Sequence, residues 1–504
     1  MAELIASVFA RSPAQVRRDA RRAAMLGADW LELRLDSWPA AQDLSSVLRD
    51  VALPVLVACR TREDGGEYRG TLTARRELLA HALRAGAAGV DLEQWETWSP
   101  PSGQTRLQLR VRSFHSFTGV PKDLDRLRDE LAAPGTVAKI AVTAHDLADA
   151  APVLELLAST DQRVHPTTAF AMGRACWPTR VLAAAMGAPL VYGALDPSEP
   201  TAPGQPSVAD LAGIFRVKAL SARTKLFGLL GNPAAHSLGP WLHNRAMRRL
   251  GVDGVYLPFE SSRPESVLRM LPIDRVGGLS VTSPFKERMV DACVHVSDRA
   301  ATVGAVNTLL PEEGGGFVGD NTDVLGVSEA LRAAGADGRA GQAAVVLGAG
   351  GAGRAAAVAL LELGYDVTLL ARSLESVRPF ARAHGVTLGS LSEQVLAALA
   401  PAVLVHATPV GAVGPLEGDR VLPGYAPAPG VVVHDLVYRP TWTRLLRECA
   451  GAGAKVVPGV EMFLAQARAQ VRLFTGEDVA AETLRGFLAG SVAAPGAPAP
   501  GAAR

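Results

Sequence analysis

The sequence predicts an α/β protein in two parts: an N-terminal (β/α)8 barrel, then an α/β region that contains a dinucleotide-binding fold. Three observations carry this prediction. Eight short apolar runs alternate with longer amphipathic segments before about residue 218, Lys139 lies inside one of those apolar runs, and a glycine-rich turn at 348–353 follows a later one. Lysine is almost never fully buried unless it is paired or chemically employed. A glycine run behind an apolar strand is typical of a nucleotide site. The pattern therefore predicts an enzyme with two active sites.

Composition excludes several other classes of protein. The chain has 504 residues, enough for about three domains. Its formal net charge is +1 and it has no long basic run, so we expect neither nucleic acid nor an anionic membrane as a partner. The N-terminus does not read as a signal peptide, and no apolar stretch is long enough to cross a bilayer. The cysteines are far apart, which argues against disulfides and a metal site and favours a reducing cytoplasm. They are Cys59, Cys176, Cys293 and Cys449.

The first half has the strand count of a barrel. Eight strand candidates separated by helical segments in roughly 220 residues match a (β/α)8 barrel. In residues 31–35, alternation places Glu32 and Arg34 on one face and three leucines on the other. We expect the charges to face the mouth of the barrel. The predicted strands are 3–9, 30–36, 54–60, 88–93, 110–117, 137–142, 164–170 and 189–195.

Polar side chains mark the ends of several of these strands. Arg60 and His115 lie near the ends of their runs, and Lys139 lies in its own. Because barrel active sites lie at the C-terminal ends of the strands, these residues should converge on one cavity. Alone, the arginine would be a rim residue and the histidine a structural group. The strand around Lys139 is apolar on both sides, which favours an amine kept for covalent work on a carbonyl.

Five separated segments of this half resemble type I 3-dehydroquinate dehydratase. They are 32–36, 59–61 with 65–66, 113–117, 138–141 and 202–205. The resemblance implies that Lys139 forms a Schiff base with the C3 ketone of 3-dehydroquinate. It also implies that His115 removes the C2 proton and then protonates the departing C1 hydroxyl. The residues that would hold the substrate are Glu32, Arg34, Arg60, Arg180, Thr201 and Gln205.

Two positions depart from that family. Asp64 stands where a glutamate usually orients the histidine, and it is one methylene shorter. Proton transfer could be slower as a result, unless Glu63 compensates through a small loop shift. Thr201 replaces the usual serine and keeps the hydroxyl, so this change should be neutral.

The second half begins after a junction at 217–224. The apolar run 342–347, the glycine turn and the alanine-rich segment 354–364 predict strand, tight turn and helix. Glycines let the backbone approach a pyrophosphate, and the helix N-terminus offers it unpaired N–H groups. The cofactor residues predicted here are Gly348, Gly350, Gly351 and Gly353.

The strand at 365–370 indicates which dinucleotide is bound. About 20 residues after the fingerprint, an acid would bind the ribose 2′-hydroxyl of NAD, whereas an arginine would accommodate the 2′-phosphate of NADP. Arg372 and Ser373 follow the strand, and no acid lies at its tip. The sequence therefore predicts NADP.

Seven ordered motifs in this half resemble shikimate dehydrogenase over about residues 224–488. They lie at 231–238, 280–287, 304–308, 321–323, 407–411, 435–438 and 463–466. The resemblance implies a catalytic pair, Lys286 and Asp323, because the alkoxide formed by hydride addition needs a positioned proton donor. Without the family, the pair would be interpreted as a surface ion pair. Ser237, Thr282, Asn307, Tyr438 and Gln466 would hold the substrate, and Thr408 the cofactor.

This half also departs from its family. Gly239 replaces a serine of the carboxylate pocket, and Ala371 and His406 stand where asparagines are common. Loss of a donor to a charged group would cost about 1.5 to 3 kcal/mol. Glycine also opens space, so quinate becomes a conceivable substrate.

The predicted organisation joins two consecutive reactions of one pathway in a single chain. The predicted segments are a barrel at 1–218, a substrate-binding domain at 224–325, a Rossmann NADP domain at 326–460, C-terminal helices at 461–490 that pack back on the substrate domain, and a disordered tail at 491–504. We expect dehydration of 3-dehydroquinate to 3-dehydroshikimate, then its NADPH-dependent reduction to shikimate. Two alternatives stay open: a non-catalytic sensor that keeps both pockets, and an enzyme whose second half prefers quinate. Side-by-side NADP reduction with shikimate and quinate separates them.

Overall fold

A computed structural model describes residues 1–39, 42–100, 107–234, 237–338 and 341–489. The tail predicted at 491–504 lies outside the described residues. The chain divides into two compact units. The first contains 1–226 with 232–235 and 253–275, and the second contains 227–231, 236–252 and 276–504.

The first unit contains the predicted barrel. Its eight strands follow the order β7-β6-β5-β4-β3-β2-β1-β8, and all seven pairs of neighbouring strands in this order are parallel. The two strands at the ends of that order meet through the Thr168 hydroxyl, which donates to Leu190 O and accepts from Leu190 N, both at 3.2 Å. The strands are β1 (Glu3–Phe9), β2 (Trp30–Arg34), β3 (Val55–Ala58), β4 (Gly89–Glu93), β5 (Leu109–Ser116), β6 (Val137–Thr143), β7 (Thr167–Met172) and β8 (Leu190–Ala194).

The barrel helices begin at polar caps that satisfy their first N–H groups. Ser12, Asp43, Thr71, Asp123 and Ser207 each accept from an N–H in the first turn. The helices are α1 (Pro13–Met25), α2 (Leu44–Arg49), α3 (Leu72–Arg84), α4 (Leu124–Leu131), α5 (Ala151–Ser159), α6 (Pro178–Ala185) and α7 (Val208–Gly213).

The predicted barrel is confirmed, with shifts at the strand ends. β2 stops at Arg34 because the next three residues turn into a 3-10 helix. β7 begins at Thr167, three residues later than predicted, because the Val164 N–H bonds back to Asp161 O in a turn. Inside the barrel, Ile5, Leu56 and Phe170 belong to one buried apolar cluster.

The first unit extends beyond the predicted barrel boundary. It includes β10 (Gly254–Glu260) and α9 (Pro264–Met270). The Asp146 carboxylate accepts from the Ser261 hydroxyl at 2.5 Å and from the Ser262 N–H at 2.8 Å. Hydrogen bonds between residues that are far apart in sequence therefore join this segment to the rest of the first unit. No local sequence pattern predicts these bonds.

The second unit begins with a small mixed sheet. Within it β11, β13, β14 and β12 lie side by side, with β13 antiparallel to both of its neighbours. The elements of this region are β9 (Lys225–Gly231), α8 (Gly239–Leu250), β11 (Val276–Val281), β12 (His295–Val296), α10 (Asp298–Val303), β13 (Thr308–Pro311), β14 (Phe317–Asp320) and α11 (Asp323–Ala333).

A parallel Rossmann-type sheet follows, with the order β17-β16-β15-β18-β19-β20. The strand order reverses between β15 and β18, which is where such sheets bind ligands. The elements are β15 (Ala343–Leu347), α12 (Gly351–Glu362), β16 (Asp366–Ala371), α13 (Arg378–His384), β17 (Thr387–Ser390), α14 (Glu393–Leu399), β18 (Val403–His406), β19 (Val432–Asp435), α15 (Arg444–Gly451), β20 (Lys455–Val457), α16 (Gly459–Thr475) and α17 (Ala481–Leu488).

Two helices cross the predicted internal boundaries of this half. α11 runs through 325/326 and α16 runs through 460/461. Leu464 of α16 and Leu484 of α17 share a buried cluster with Leu242 of α8. No helix among the described residues is both long and apolar enough to span a bilayer.

Candidate active sites

The barrel has a pocket of about 510 Å³ of empty space, lined by strand ends and the loops that follow them. Every residue that the sequence assigned to the dehydratase site lines it. These residues are Glu32, Arg34, Arg60, Asp64, His115, Lys139, Arg180, Thr201 and Gln205.

Lys139 lies on β6, and its side chain is 4% exposed. Its Nζ is 3.0 Å from Asp91 Oδ2, 3.6 Å from Glu32 Oε1 and 3.8 Å from the centroid of the Tyr192 ring. Burial lowers the pKa of the amine, and the two carboxylates only partly oppose that effect. The neutral, nucleophilic form of Lys139 is therefore easier to reach than that of an exposed lysine.

Asp91 on β4 is a residue of this site that the sequence reading missed. Its carboxylate accepts from Lys139 Nζ, from Arg60 Nη2 at 2.8 Å and from the Ser113 hydroxyl at 2.6 Å. Burial would raise its pKa, but Lys139 and Arg60 outweigh burial and lower it. The signal was present in residues 90–93, where charges alternate with apolar residues as they do around Glu32.

His115 lies in direct contact with Arg60 inside the pocket. The Arg60 guanidinium contacts both ring nitrogens, with Nη1 2.7 Å from Nδ1. Burial, then the positive charges of Arg60 and Lys139, lower the pKa of His115 well below its ordinary value. A neutral imidazole is the form that can accept a proton.

Asp64 lines the pocket, but within the described chain its hydrogen-bond partners are residues other than His115. Its carboxylate accepts from the Thr61 hydroxyl at 2.7 Å and from Trp95 Nε1 at 3.0 Å. The ring of Phe117 is the group stacked on His115, with centroids 6.3 Å apart.

Arg180 has the geometry of an anion-binding group. Its guanidinium lies 3.8 Å above the Phe170 ring, and its Nε and Nη2 have no hydrogen-bond partner among the described residues. Burial lowers its pKa to about 9, partly opposed by Glu32. Arg34, in contrast, already pairs with Asp36 at 2.7 Å. Buried donors without partners are costly, so Arg180 is suited to receive a carboxylate.

The dehydrogenase half brings together residues that lie far apart in sequence. Lys286 Nζ is 2.6 Å from Asp323 Oδ2, and Asn307 Nδ2 donates to Asp323 Oδ1 at 2.8 Å. The Thr322 hydroxyl lies 3.4 Å from Gln466 Oε1. Asp323 is the first residue of α11, where the helix dipole favours a negative charge.

One face of α16 organises the rest of this site. Phe463 stacks on Tyr438 with centroids 4.9 Å apart, and Gln466 follows one turn later. Gln470, which the sequence reading missed, donates to Asn307 O at 3.0 Å. Burial raises the pKa of Tyr438, against a hydrogen bond with Ser237. Helical spacing therefore places Phe463, Gln466 and Gln470 on one face of α16. The separate sequence motifs did not show that these residues lie together.

Backbone N–H groups make the contacts at two further predicted positions, Ser237 and Thr282. Gly239 begins α8, and its N–H donates to the Ser237 hydroxyl at 3.0 Å. The Thr282 N–H donates to Leu230 O at 2.9 Å.

The glycine turn between β15 and α12 fits a dinucleotide. Gly348 has φ +116°, and a Cβ there would lie 2.9 Å from Ala407 O. A Cβ at Gly353 would collide with Gly348 O, whereas one at Gly350 would meet no atom within 4 Å. The N-cap residue Gly350 supplies no side-chain cap to the first N–H groups of α12, which leaves them available to a phosphate. Arg372 and Ser373 follow β16 directly and are exposed.

Known proteins match both halves. Residues 4–221 match the family model of type I 3-dehydroquinase, and residues 229–309 match the shikimate dehydrogenase substrate binding domain. The chloroplastic bifunctional 3-dehydroquinate dehydratase/shikimate dehydrogenase of Arabidopsis thaliana is 33% identical over 503 residues, which cover 94% of this chain and 82% of that protein. The chain belongs to the family of bifunctional 3-dehydroquinate dehydratase/shikimate dehydrogenases.

Single-function relatives match the second half alone. Shikimate dehydrogenase (NADP(+)) of Methanothermobacter thermautotrophicus is 38% identical over 273 residues, covering 51% of this chain and 94% of that protein. The Thermus thermophilus enzyme of the same name is 40% identical over 255 residues, covering 50% and 92%. The predicted family, paired activities and NADP dependence are thereby confirmed. The chain is a shikimate-pathway enzyme, which sets aside the non-catalytic sensor.

Proposed function

We propose that Lys139 and His115 dehydrate 3-dehydroquinate to 3-dehydroshikimate in the barrel. The neutral amine attacks the C3 carbonyl, and loss of water leaves a protonated imine, which withdraws electrons from C2. His115 takes the C2 proton as a general base. The C1 hydroxyl then leaves as water with a proton from His115, and a water molecule hydrolyses the imine, which releases 3-dehydroshikimate and regenerates the Lys139 amine. The observation that carries this proposal is a buried lysine of lowered pKa in one pocket with a half-buried imidazole whose pKa is also lowered.

The remaining pocket residues would hold the substrate. Arg180 would take the carboxylate through its unpartnered N–H groups, and Glu32 Oε1, also unpartnered in the described chain, would accept from a ring hydroxyl. Asp91 would position Lys139 and balance the charge of Arg60. Thr201 and Gln205, joined by a hydrogen bond at 2.9 Å, would close the substrate side of the pocket.

In the second half, we propose that Lys286 protonates the alkoxide formed on reduction of 3-dehydroshikimate. Asp323 would hold the ammonium group of Lys286, and Asn307 would hold Asp323. The Thr322 hydroxyl would hold Gln466. Ser237, Tyr438 and Thr282 would complete the substrate pocket. Bound NADPH supplies the hydride. The glycine turn would hold its pyrophosphate, and Arg372 with Ser373 its 2′-phosphate.

The domain organisation and the compartment complete the proposal. We infer that the barrel and the dehydrogenase half each form their own active site, since all the pocket residues of each lie within one compact unit. We also infer a reducing, cytoplasmic setting, supported by Cys59, Cys176, Cys293 and Cys449, all of which are free thiols. Burial raises the pKa of the Cys59 and Cys176 thiols to about 12, which keeps them unreactive.

Reciprocal variants test the assignment of the two lysines. Lys139→Met should abolish dehydration of 3-dehydroquinate and leave NADP reduction by shikimate unchanged. Lys286→Met should lower shikimate oxidation by about 10² to 10⁴-fold and leave dehydration unchanged. Because each variant reports one activity against the other, the untouched activity controls for folding. A Lys139→Met enzyme that still dehydrates its substrate would remove the imine from the account.

A further inference from the structure

His406 stands at the end of β18 and links two other side chains. Its Nδ1 lies 2.9 Å from Asp435 Oδ1, and its Nε2 lies 2.5 Å from the Thr408 hydroxyl. His406 and Asp435 are fully buried, at 1% and 0% exposure. The three side chains form a chain of hydrogen bonds that runs from the carboxyl end of β19 past the carboxyl end of β18 to Thr408.

The partners of Asp435 set the direction of this chain. Its carboxylate also receives the Val437 N–H at 3.0 Å and the Thr443 hydroxyl at 2.5 Å. The Thr443 oxygen accepts from Leu446 N, so the Thr443 proton is free to point at Asp435. Asp435 therefore accepts from each of these groups, which places the proton of the shared hydrogen bond on His406 Nδ1.

The tautomer determines what Thr408 can do. With the proton on Nδ1, Nε2 is an acceptor, and the Thr408 hydroxyl must donate its proton to it. The Thr408 oxygen accepts the Val410 N–H at 3.3 Å, which leaves one lone pair. Thr408 is half-buried and adjoins the glycine turn, since a Cβ at Gly348 would lie 3.1 Å from Thr408 Cγ2. This position is the switch point between β15 and β18.

We propose that His406 and Asp435 are positioning residues that make the Thr408 oxygen a hydrogen-bond acceptor for the nicotinamide-riboside half of NADP. The donor on the cofactor is an N–H of the carboxamide or a hydroxyl of the adjoining ribose. A free threonine hydroxyl could turn to donate or to accept, whereas the linked one presents only a lone pair. The inference rests on the cofactor site proposed above for the dehydrogenase half.

The tautomer can be measured without cofactor. Long-range ¹⁵N–¹H NMR of the full chain should show His406 with a protonated Nδ1 and an unprotonated Nε2. His434 is the matched buried histidine, because its Nδ1 faces Val457 O at 2.9 Å on the neighbouring strand. His406→Asn and His434→Asn assign the two signals. A proton on Nε2 of His406, or a doubly protonated ring at pH 7, would overturn the proposal.

A series of cofactor fragments tests the contact itself. Thr408→Val and His406→Leu should weaken NADP+ binding by about three- to tenfold in calorimetry, the loss of one neutral hydrogen bond. His434→Asn should leave binding unchanged. Binding of 2′,5′-ADP, which lacks the nicotinamide riboside, should not change in any variant. Retained dehydratase activity and an unchanged melting temperature would show that the variants are folded.

Two further ligands identify the donor. The 3-acetylpyridine analogue of NADP+ lacks the amide N–H, and 2′-phospho-ADP-ribose lacks the nicotinamide but keeps the ribose. If the penalty in Thr408→Val disappears with both, the carboxamide is the donor, and if it persists with both, the ribose is. Equal NADP+ affinity in Thr408→Val and wild type, or an equal penalty on 2′,5′-ADP, would contradict the proposal. Ester hydrolysis by the wild type that is lost in Thr408→Val would instead assign Thr408 the role of a nucleophile. Failure of the wild type to bind NADP+ would count against the cofactor site itself.

Discussion

The two active sites each use a lysine beside a carboxylate, yet they place that lysine in opposite surroundings. The Lys139 side chain is 4% exposed, lies at 3.0 Å from Asp91 and shares its pocket with the cation of Arg60. The Lys286 side chain is 16% exposed and lies at 2.6 Å from Asp323, which begins a helix. Burial and the neighbouring cation of Arg60 lower the pKa of Lys139, whereas Lys286 is more exposed and has one close carboxylate. The comparison supports the proposal that one environment suits a nucleophile and the other a proton donor.

The largest expected effect comes from removing the charge of Asp323. Asp323→Asn should lower the kcat for shikimate oxidation by about 10² to 10⁴-fold, because Lys286 loses the partner that holds its proton in place. Steady-state kinetics with shikimate and NADP+ measures it, and the dehydratase rate should not change. Asp291→Asn is the control, because Asp291 is an exposed carboxylate that lies close to Lys286 in sequence. A change of less than tenfold for Asp323→Asn would mean that Lys286 needs no carboxylate.

In the barrel, the matching change should act on stability as well as rate. Asp91→Asn leaves Arg60 and Lys139 buried without their common acceptor, so we expect a loss of about 3 to 5 kcal/mol in unfolding free energy. Denaturant unfolding followed through dehydratase activity would report it. Asp36→Asn, which breaks the buried pair with Arg34, is the comparison for a buried charge away from Lys139. If Asp91→Asn is as stable as wild type, Asp91 does not balance these cations.

The sequence could predict features that depend on local pattern. Eight alternating runs indicated the barrel, an apolar strand around Lys139 indicated its burial, and the glycine turn indicated a nucleotide site. It could not predict Asp91 as the partner of Lys139, because that contact depends on how β4 and β6 lie on either side of β5. The pairing of Lys286 with Asp323, 37 positions apart, came from family resemblance and not from physics. The position of Asp64 in the pocket was predicted, but its bond to Trp95 depends on loop conformation.

A smaller effect is expected where the dehydrogenase departs from its family. Gly239 is the first residue of the helix α8, a backbone conformation that serine can adopt. Gly239→Ser should lower the KM for shikimate by up to about tenfold, if the new hydroxyl contributes around 1.4 kcal/mol of binding. It should also weaken any oxidation of quinate by filling space near C1. Unchanged kinetics with both substrates would show that the missing hydroxyl is already replaced.

The smallest change should be seen on mild acidification of the dehydratase. The pKa of His115 is well below 6.5 through burial and the charges of Arg60 and Lys139, so the neutral base persists as the pH falls from 7.5 to 6.5. Proton binding should inactivate it only as the pH falls through that lowered pKa. The kcat/KM profile for 3-dehydroquinate should therefore show no acid limb from His115 across this range, beyond the slope that protonation of the Lys139 amine contributes. An acid limb centred at 6.5 would indicate an ordinary, exposed histidine.

One ligand can present the same ketone to both lysines. 3-Dehydroshikimate is the product of the barrel and the substrate of the dehydrogenase half, so borohydride trapping in the intact chain compares Lys139 and Lys286 directly. Peptide mass spectrometry should find the reduced adduct on Lys139 alone, because only that lysine is held as a nucleophile. Lys139→Met should abolish the adduct and Lys286→Met should not. An adduct on Lys286, or none on Lys139 in an active enzyme, would contradict the assignment of different roles to the two lysines.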